Sequence, residues 1–244
     1  MIPGIYSAAT AMEQAAKRHE LIAQNLAQLN MPGYRRATLK QQTFESTLSE
    51  AQQADFAFDS LGTSSQGQSI DFTPGAFERT NHPVDFAIQG DGFFAIETPN
   101  ETLYTRNGAF HVNGEGRLVT ADGHPVASVG GNLTLPPDSS PSQLQVTQDG
   151  AATVNGTSIG KIRVVRFSDP HQLVSHGVTL FRAPESVTPQ DTDVLVHQGT
   201  REHSNVQPVF ELVSMIAASR AYEAAQKAMI AITSAIENHT NLRG

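Results

Sequence analysis

The chain has 244 residues, of which 39% are hydrophobic and 16% charged, and its formal net charge at neutral pH is −8. This acidic balance argues against a nucleic-acid-binding protein, which needs a basic face. The absence of cysteine excludes disulfides and thiolate-bound metals. No stretch approaches the roughly 18 continuous apolar residues of a membrane span, and we do not expect a cleaved secretory signal at the N-terminus.

The N-terminal segment, from about Pro3 to Leu29, is predicted to form one long helix. Its apolar residues recur at alternating steps of three and four, which is typical of a helix that packs along a partner. Pro3 suits a first helical turn, and Pro32-Gly33 ends the helix because this pair favours a turn. The predicted seam, in which His19 also falls, consists of Ile5, Ala8, Met12, Ala15, Ile22, Leu26 and Leu29.

Residues 37–71 are predicted to be a linker or an extended arm. Gln, Ser, Ala and Thr dominate most of this stretch without a sustained period, and residues 62–69 have the composition of a flexible linker. Two interpretations remain open. The segment is either a surface excursion or an arm that becomes ordered only against neighbouring subunits.

Residues 72–203 are predicted to form an all-β, antiparallel and turn-rich domain. Short apolar runs alternate with Asn-Gly and Asp-Gly pairs, which supply the positive φ angles of tight hairpins. No helical period appears here, so a parallel sheet with crossover helices does not fit. The six pairs begin at Asp91, Asn107, Asn113, Asp122, Asp149 and Asn155.

The C-terminal segment, from about Val206 to His239, is predicted to be a second long helix. Ser204 and Asn205 are good N-cap residues for it. A predicted alanine seam lets a partner backbone approach closely and contains Ala217, Ala221, Ala224, Ala228, Ala231 and Ala235. A flanking stripe repeats every seven residues and contains Met215, Tyr222, Met229 and Ile236.

Together these patterns predict a mixed α and β fold. Residues 1–36 and 204–244 are expected to form a coiled-coil-like helical domain, and residues 72–203 the central β-domain. Whether the helices are ordered in a free subunit remains open, because they either need neighbours or form a pair that is stable alone.

The sequence shows no arrangement that supports catalysis or cofactor binding. Residues 90–95 match the dinucleotide pattern G-x-G-x-x-A, but a strand is predicted where that motif needs a helix. The nine histidines are scattered and lack metal-ligand spacing. We therefore predict that the protein is not an enzyme and has no catalytic, cofactor-binding or metal-binding residues.

Six segments stand out along nearly the whole chain: residues 22–34, 85–94, 104–110, 116–123, 204–206 and 220–223. In this order they resemble the motifs of the axial proteins of the bacterial flagellar rod and hook. Residues 22–34 resemble the family's N-terminal motif, although Gln28 and Met31 stand where the family usually has Asn and Thr. Residues 85–94, 104–110 and 116–123 resemble its central motifs, and residues 204–206 and 220–223 its C-terminal ones. The motif positions are Asn25, Leu26, Pro32, Gly33, Tyr34, Gly90, Asp91, Gly92, Phe93, Ser204, Asn205, Arg220 and Tyr222.

The resemblance implies a structural subunit of the flagellar basal-body rod that assembles as a helical tube and transmits motor torque. Its implied partners are copies of itself, other rod and hook proteins, and the flagellar type III export apparatus, without nucleic acid or small-molecule substrate. The implied location is the rod that crosses the periplasm, reached without a cleaved signal peptide. Proximal and distal rod positions both remain open.

Two alternatives are retained. The first is a hook-type axial protein, which usually inserts further outer domains. The second is a secreted β-domain that acts as an adhesin or binds carbohydrate. It would not need long helical seams at both ends and would normally display exposed aromatic residues, whereas this chain has no Trp and only four Tyr.

Overall fold

The computed structural model describes residues 2–39, 67–130, 133–192 and 194–241, with side chains for residues 4–39, 67–130, 133–192 and 194–235. These residues divide into two compact units. Unit 1 contains residues 2–27, 37–39, 67–71 and 206–241. Unit 2 contains residues 28–36 and the described part of 72–205.

Two long helices dominate the described part of unit 1: α1, Ile2–Ala27, and α2, Pro208–Asn241. They pack against each other, and a Cβ built on Gly4 would lie 3.4 Å from Cδ1 of Ile232. Only nine residues of α2 follow Ile232, so the rest of α1 can lie along α2 only if the two helices run antiparallel. Neither described helix has an apolar stretch of the length that crossing a membrane requires.

The prediction of a coiled-coil-like helical domain is wrong. The described residues contain two α-helices, and the 3-10 helices Pro141–Gln143 and Pro170–Gln172, rather than a long coiled-coil domain. All six alanines predicted to form the seam of α2 are exposed. The side that α2 buries, fully or partly, carries Glu211, Ser214, Met215, Ala218, Ser219, Ala225, Met229 and Ile232. Alanine misled the prediction because its single methyl group gains little from burial, so its spacing alone does not select the buried side.

The start of α2 also differs from the prediction. Because α2 begins at Pro208, neither Ser204 nor Asn205 is its N-cap. Proline is suited to the first helical position, where its missing N–H costs nothing. Glu211 lies in the first turn, where a carboxylate is favoured by the helix dipole.

The predicted linker or arm lies mostly outside the described residues, since residues 40–66 are not among them. Its two described ends pair with each other as antiparallel strands β1, Ala37–Leu39, and β2, Gln68–Ile70. Ala37 lies opposite Ile70 in this register. Leu39 and Gln68 therefore lie side by side in unit 1.

The central region is built from short strands, as the turn pairs predicted, and every pairing is antiparallel. The strands are β3 Phe77–Arg79, β4 Phe86–Gln89, β5 Phe93–Glu97, β6 Thr102–Thr105, β7 His111–Val112, β8 Leu118–Val119, β9 Ser128–Val129, β10 Leu144–Val146, β11 Ala151–Val154, β12 Thr157–Ile162, β13 Val164–Arg166, β14 Val174–Ser175, β15 Leu180–Arg182, β16 Gln190–Asp191, β17 Leu195–Gln198 and β18 Thr200–Glu202.

The strands of unit 2 form several small sheets rather than one continuous sheet. The largest described sheet has the order β14-β15-β6-β5-β13-β16, and a second has the order β10-β11-β12-β9. Three strand pairs complete the set: β17 with β4, β18 with β3, and β7 with β8. Asn155-Gly156 joins β11 to β12 with φ angles of 50° and 79°, as expected for a two-residue hairpin.

The main hydrophobic core lies in unit 2. Its members come from β4, β5, β8, β10 to β13 and β17, together with apolar residues of the connecting loops. Phe94 belongs to this core and contacts Phe110 with the ring centroids 5.3 Å apart. The adjacent Phe93 points to the other face of β5, because successive side chains of a strand alternate, and is also buried.

Candidate assembly surface and family-motif residues

The predicted seam of α1 lies on the buried side of that helix, where buried residues alternate with half-buried ones. Ala8, Ala15 and Ile22 are buried, at intervals of seven residues, whereas Ile5, Met12 and Leu26 are half-buried. Leu29, also half-buried, follows the end of α1, and His19 is exposed. The pattern therefore marks the packed side of α1, whereas a role of these residues in assembly remains a prediction.

The residues predicted on α2 fall on two sides of the helix. Met215 and Met229 are half-buried, and Tyr222 is 39% exposed. The alanine stripe, Ala217, Ala221, Ala224, Ala228, Ala231 and Ala235, is exposed along its length. It is free of contacts that would bury it within the described residues, so its predicted role in assembly remains open to test. Ile236 lies in α2, but its side chain is outside the described set.

Large apolar side chains are also exposed near the start of α2. Four of them, Val209, Leu212, Val213 and Ile216, have exposed fractions of 52–74%. Their spacing of i, i+3, i+4 and i+7 places them on one face, and at 100° per residue this face lies opposite the buried side that contains Glu211, Met215 and Ala218. We call these four residues the apolar face of α2. Sequence analysis missed it, although its spacing is a recognisable amphipathic signal.

The motif residue Asn25 is buried, and its side chain bonds the backbone of Ala37 as a neighbouring strand would. Its Nδ2 donates to the carbonyl oxygen of Ala37 at 2.9 Å, and the N–H of Ala37 donates to its Oδ1 at 3.0 Å. One amide side chain thus satisfies both backbone groups of the first residue of β1. Only an amide offers a donor and an acceptor in this arrangement.

Replacing Asn25 by aspartate is expected to lower the free energy of unfolding of unit 1 by about 1–3 kcal/mol. The carboxylate keeps the acceptor for the N–H of Ala37 but presents a second acceptor to its carbonyl oxygen. Thermal unfolding followed by circular dichroism measures the change. Gln24→Glu is the matched control, because Gln24 is exposed on the same helical turn; an equal loss in both variants would contradict the role of Asn25.

The motif residues Gly33 and Tyr34 lie in a buried turn of unit 2 that contacts the segment after β6. Gly33 has φ +68°, and a Cβ there would lie 2.3 Å from the backbone nitrogen of Asn107 and 2.4 Å from the carbonyl carbon of Arg106. Tyr34 is 3% exposed, whereas Pro32 is half-buried. The N-terminal Pro-Gly-Tyr motif and the central Tyr-Thr-Arg-Asn-Gly motif therefore meet in space.

A buried ionic cluster lies next to this turn. Arg35 Nη2 donates to Glu202 Oε1 at 2.6 Å, and Arg106 Nη1 lies 3.7 Å from Glu202 Oε2. The N–H of Gly75 also donates to Glu202 Oε1, at 2.9 Å. Burial lowers the pKa of Arg106 to about 10, an effect that the charge of Glu202 partly opposes.

Arg106 has further partners that hold its guanidinium in place. Its Nη2 donates to the carbonyl oxygen of Gly90 at 2.8 Å, and its Cζ lies 5.1 Å from the centroid of the Phe93 ring. The sequence could not reveal the cluster, because Arg35 and Glu202 are 167 residues apart. The local sequence indicates only that Glu202 and its neighbour Arg201 point to opposite faces of the short strand β18.

Asn205 joins two separate segments of unit 2. Its Oδ1 accepts from the N–H of Arg36 at 2.7 Å, and its Nδ2 donates to the carbonyl oxygen of Thr73 at 3.0 Å. The adjacent motif residue Ser204 is half-buried. Arg35 is therefore hydrogen-bonded to Glu202, and Arg36 to Asn205, although both partners lie more than 160 residues later in the sequence.

The motif at 90–93 forms the turn into β5. Gly90 has φ +103°, and Gly90 and Asp91 are exposed, whereas Gly92 is buried. A Cβ on Gly92 would lie 3.0 Å from Cγ1 of Val164. Phe93 begins the strand and packs edge to face against Phe72, Phe167 and Phe181, with centroid distances of 5.6–6.1 Å.

The remaining motif residues, Arg220 and Tyr222, both lie on α2. Arg220 is exposed on α2, as is Tyr222. Within the described ranges no group of three or more His, Cys, Asp or Glu side chains could hold a metal ion. The motif residues thus divide into turn glycines, buried anchors and an exposed helical surface.

Comparison with known proteins gives two matching family models. The model described as the flagellar hook protein FlgE/F/G D1 domain matches residues 87–154, and that of the flagellar basal body rod FlgEFG protein C-terminal matches residues 197–241. Together they cover β5 to β11, β18 and α2.

Curated relatives match over most of their length. The flagellar basal-body rod protein FlgF of Mesorhizobium japonicum is 35% identical over 91% of this chain and 90% of the relative. FlgF of Caulobacter vibrioides is 35% identical over 86% and 85%, and FlgG of Agrobacterium fabrum is 32% identical over 88% and 90%. The chain therefore belongs to the flagellar basal-body rod protein family.

Proposed function

We propose that the protein is a structural subunit of the flagellar basal-body rod, and that the exposed surface of α2 binds neighbouring subunits. One observation carries this proposal. Half of the exposed large apolar side chains among the described residues lie on one helix, between Val209 and Ile230 of α2. Such a concentration marks a surface that another protein covers.

The alanine stripe extends this surface towards the C-terminus. At 100° per residue the stripe lies beside the apolar face of α2, and Val213 falls where the two meet. Short side chains allow the backbone of a neighbour to approach closely, whereas the apolar face contributes larger buried area. We infer that the two surfaces act together, with the apolar face as the centre of the interface.

Neighbouring copies of this chain and other rod or hook proteins are the proposed partners. A stack of subunits is a heterologous assembly, in which each subunit presents different surfaces to the subunits before and after it. In such a tube the contacts made by α2 would transmit torque from one subunit to the next. The membership of the chain in the rod protein family supports this arrangement.

The proposed location is the part of the rod that crosses the periplasm. We also propose that the subunit is delivered by the flagellar type III export apparatus, without cleavage of a signal peptide. The division into a helical part, residues 1–36 with 204–244, and a β-domain, residues 72–203, is part of the same proposal, except that residues 28–36 and 204–205 belong to unit 2. The protein is proposed to act without a catalytic step or cofactor.

Ala224→Glu tests the stripe in a strain that lacks the chromosomal copy of the gene. Ala224 is exposed in the subunit, so the variant is expected to fold normally but to fail to enter the rod, because the new charge would be buried without a partner. Swimming in soft agar and negative-stain images of isolated basal bodies measure the outcome.

Gln226→Glu is the matched control, since Gln226 is also exposed and lies two residues away on the side of the helix away from the stripe. It adds the same charge and is expected to restore swimming. Normal basal bodies and normal swimming with Ala224→Glu would overturn the role of the stripe.

A further inference from the structure

Three hydrogen bonds join residues 28–36 to the end of β18 and the residues just after it, elsewhere in unit 2. The N–H of Gly33 donates to the backbone oxygen of Glu202 at 2.8 Å, and Arg35 donates to its carboxylate at 2.6 Å. The N–H of Arg36 donates to Asn205 Oδ1 at 2.7 Å. Residues 28–36 contribute no side chain to the main hydrophobic core.

Glu202 would keep a partner if Arg35 left. Its second carboxylate oxygen already lies 3.7 Å from Arg106 Nη1, and Arg106 is held independently by Gly90 and by the ring of Phe93. A buried carboxylate with no cation is strongly disfavoured. The second arginine therefore removes one cost of opening at Arg35, that of a buried carboxylate left without a cation.

We propose that the Arg35–Glu202–Arg106 cluster is a conformational latch, which holds residues 28–36 on the rest of unit 2 and can open while the β core stays folded. In the closed state Glu202 pairs with both arginines, and in the open state it pairs with Arg106 alone. A buried ion pair is a poor source of stability compared with apolar packing, but it specifies one geometry. The inference concerns the isolated subunit and does not depend on assembly into a rod.

The test uses trypsin, because the latch covers its own cleavage sites. Arg35 is 3% exposed, so cleavage after Arg35 requires release of the segment. Arg36 is only half-buried, and cleavage after it requires release of its N–H from Asn205 and of Ala37 from Asn25. Glu202→Gln leaves both arginines buried without a carboxylate and is expected to accelerate cleavage at these sites on the order of 100-fold. Mass spectrometry identifies the fragments, and hydrogen exchange reports on the amides of β5.

Glu78→Gln is the matched control. Glu78 lies on β3, opposite Arg201 of β18, and pairs with Arg201 and His203 at the surface. Glu78→Gln makes the same change of charge on the strand next to β18. It is expected to leave cleavage at Arg35 and Arg36 at the wild-type rate.

Three outcomes decide the proposal. Faster cleavage at Arg35 or Arg36, with the amides of Phe94 and Ile96 still protected, supports the latch. An unchanged rate overturns it, as does simultaneous loss of protection in β5. If Glu202→Gln does not fold, Arg35→Met decides by the same two measurements, because it leaves Glu202 paired with Arg106 and retains the site at Arg36.

Discussion

Replacing Gly108 by alanine is expected to lower the free energy of unfolding of unit 2 by about 3 kcal/mol or more. A Cβ at this position would lie 1.8 Å from the carbonyl oxygen of Phe86. The backbone cannot move away easily, because the N–H of Phe86 donates to the carbonyl oxygen of Gly108 at 2.9 Å and the ring of Phe86 is fully buried. Urea unfolding monitored by circular dichroism measures the loss.

Gly114→Ala is the matched control for this substitution. Gly114 also follows an asparagine in a connection of unit 2, but a Cβ there would meet nothing within 4 Å. It is expected to unfold at nearly the wild-type urea concentration. Equal midpoints for the two alanine variants would show that the approach of Gly108 to Phe86 does not limit stability.

The double substitution Val213→Glu with Ile216→Glu is expected to abolish swimming while leaving the stability of the isolated subunit within about 0.5 kcal/mol. Both side chains are more than half exposed in the subunit, so folding does not require them. Burial of two carboxylates against a neighbour would instead prevent association. Swimming in soft agar and thermal unfolding of the purified variant provide the two measurements.

Lys227→Glu changes the net charge by the same two units and lies on the same side of α2, where it is exposed. It is expected to reduce swimming much less than the double variant, since it removes no apolar contact. If Lys227→Glu stops swimming to the same extent, charge rather than apolar burial governs assembly. Swimming of the double variant at the wild-type rate would exclude the apolar face from the interface.

The two α-helices, and three of the six turn glycines, Gly123, Gly150 and Gly156, could be predicted from sequence because their signals are local. The apolar period of α1 and the Asn155-Gly156 pair each act within a few residues, and both elements appear where they were expected. Gly108 shows the limit of this reasoning. Its Asn-Gly pair suggested a positive φ, but its backbone lies outside the left-handed region, and the glycine is needed for its approach to Phe86.

The buried side of α2 and the ionic cluster could not be predicted for different physical reasons. On α2, alanines satisfy a helical spacing on several sides. Large apolar residues lie both on the packed side and on the exposed apolar face of α2, so their spacing does not identify the packed side either. The contact of Arg35 with Glu202 depends on the complete path of the chain through unit 2. A pattern within one segment carries no information about such a pair.

The two phenylalanines at the start of β5 limit how the preceding connection can vary in length. Phe94 belongs to the main core, whereas Phe93 packs with Phe72, Phe167 and Phe181 on the opposite face. A shift of β5 by one residue along β6 would exchange the two rings. An insertion between Gln89 and Phe93 must therefore bulge outwards into solvent. Sliding β5 would move Phe94 out of the main core and Phe93 away from the other phenylalanines.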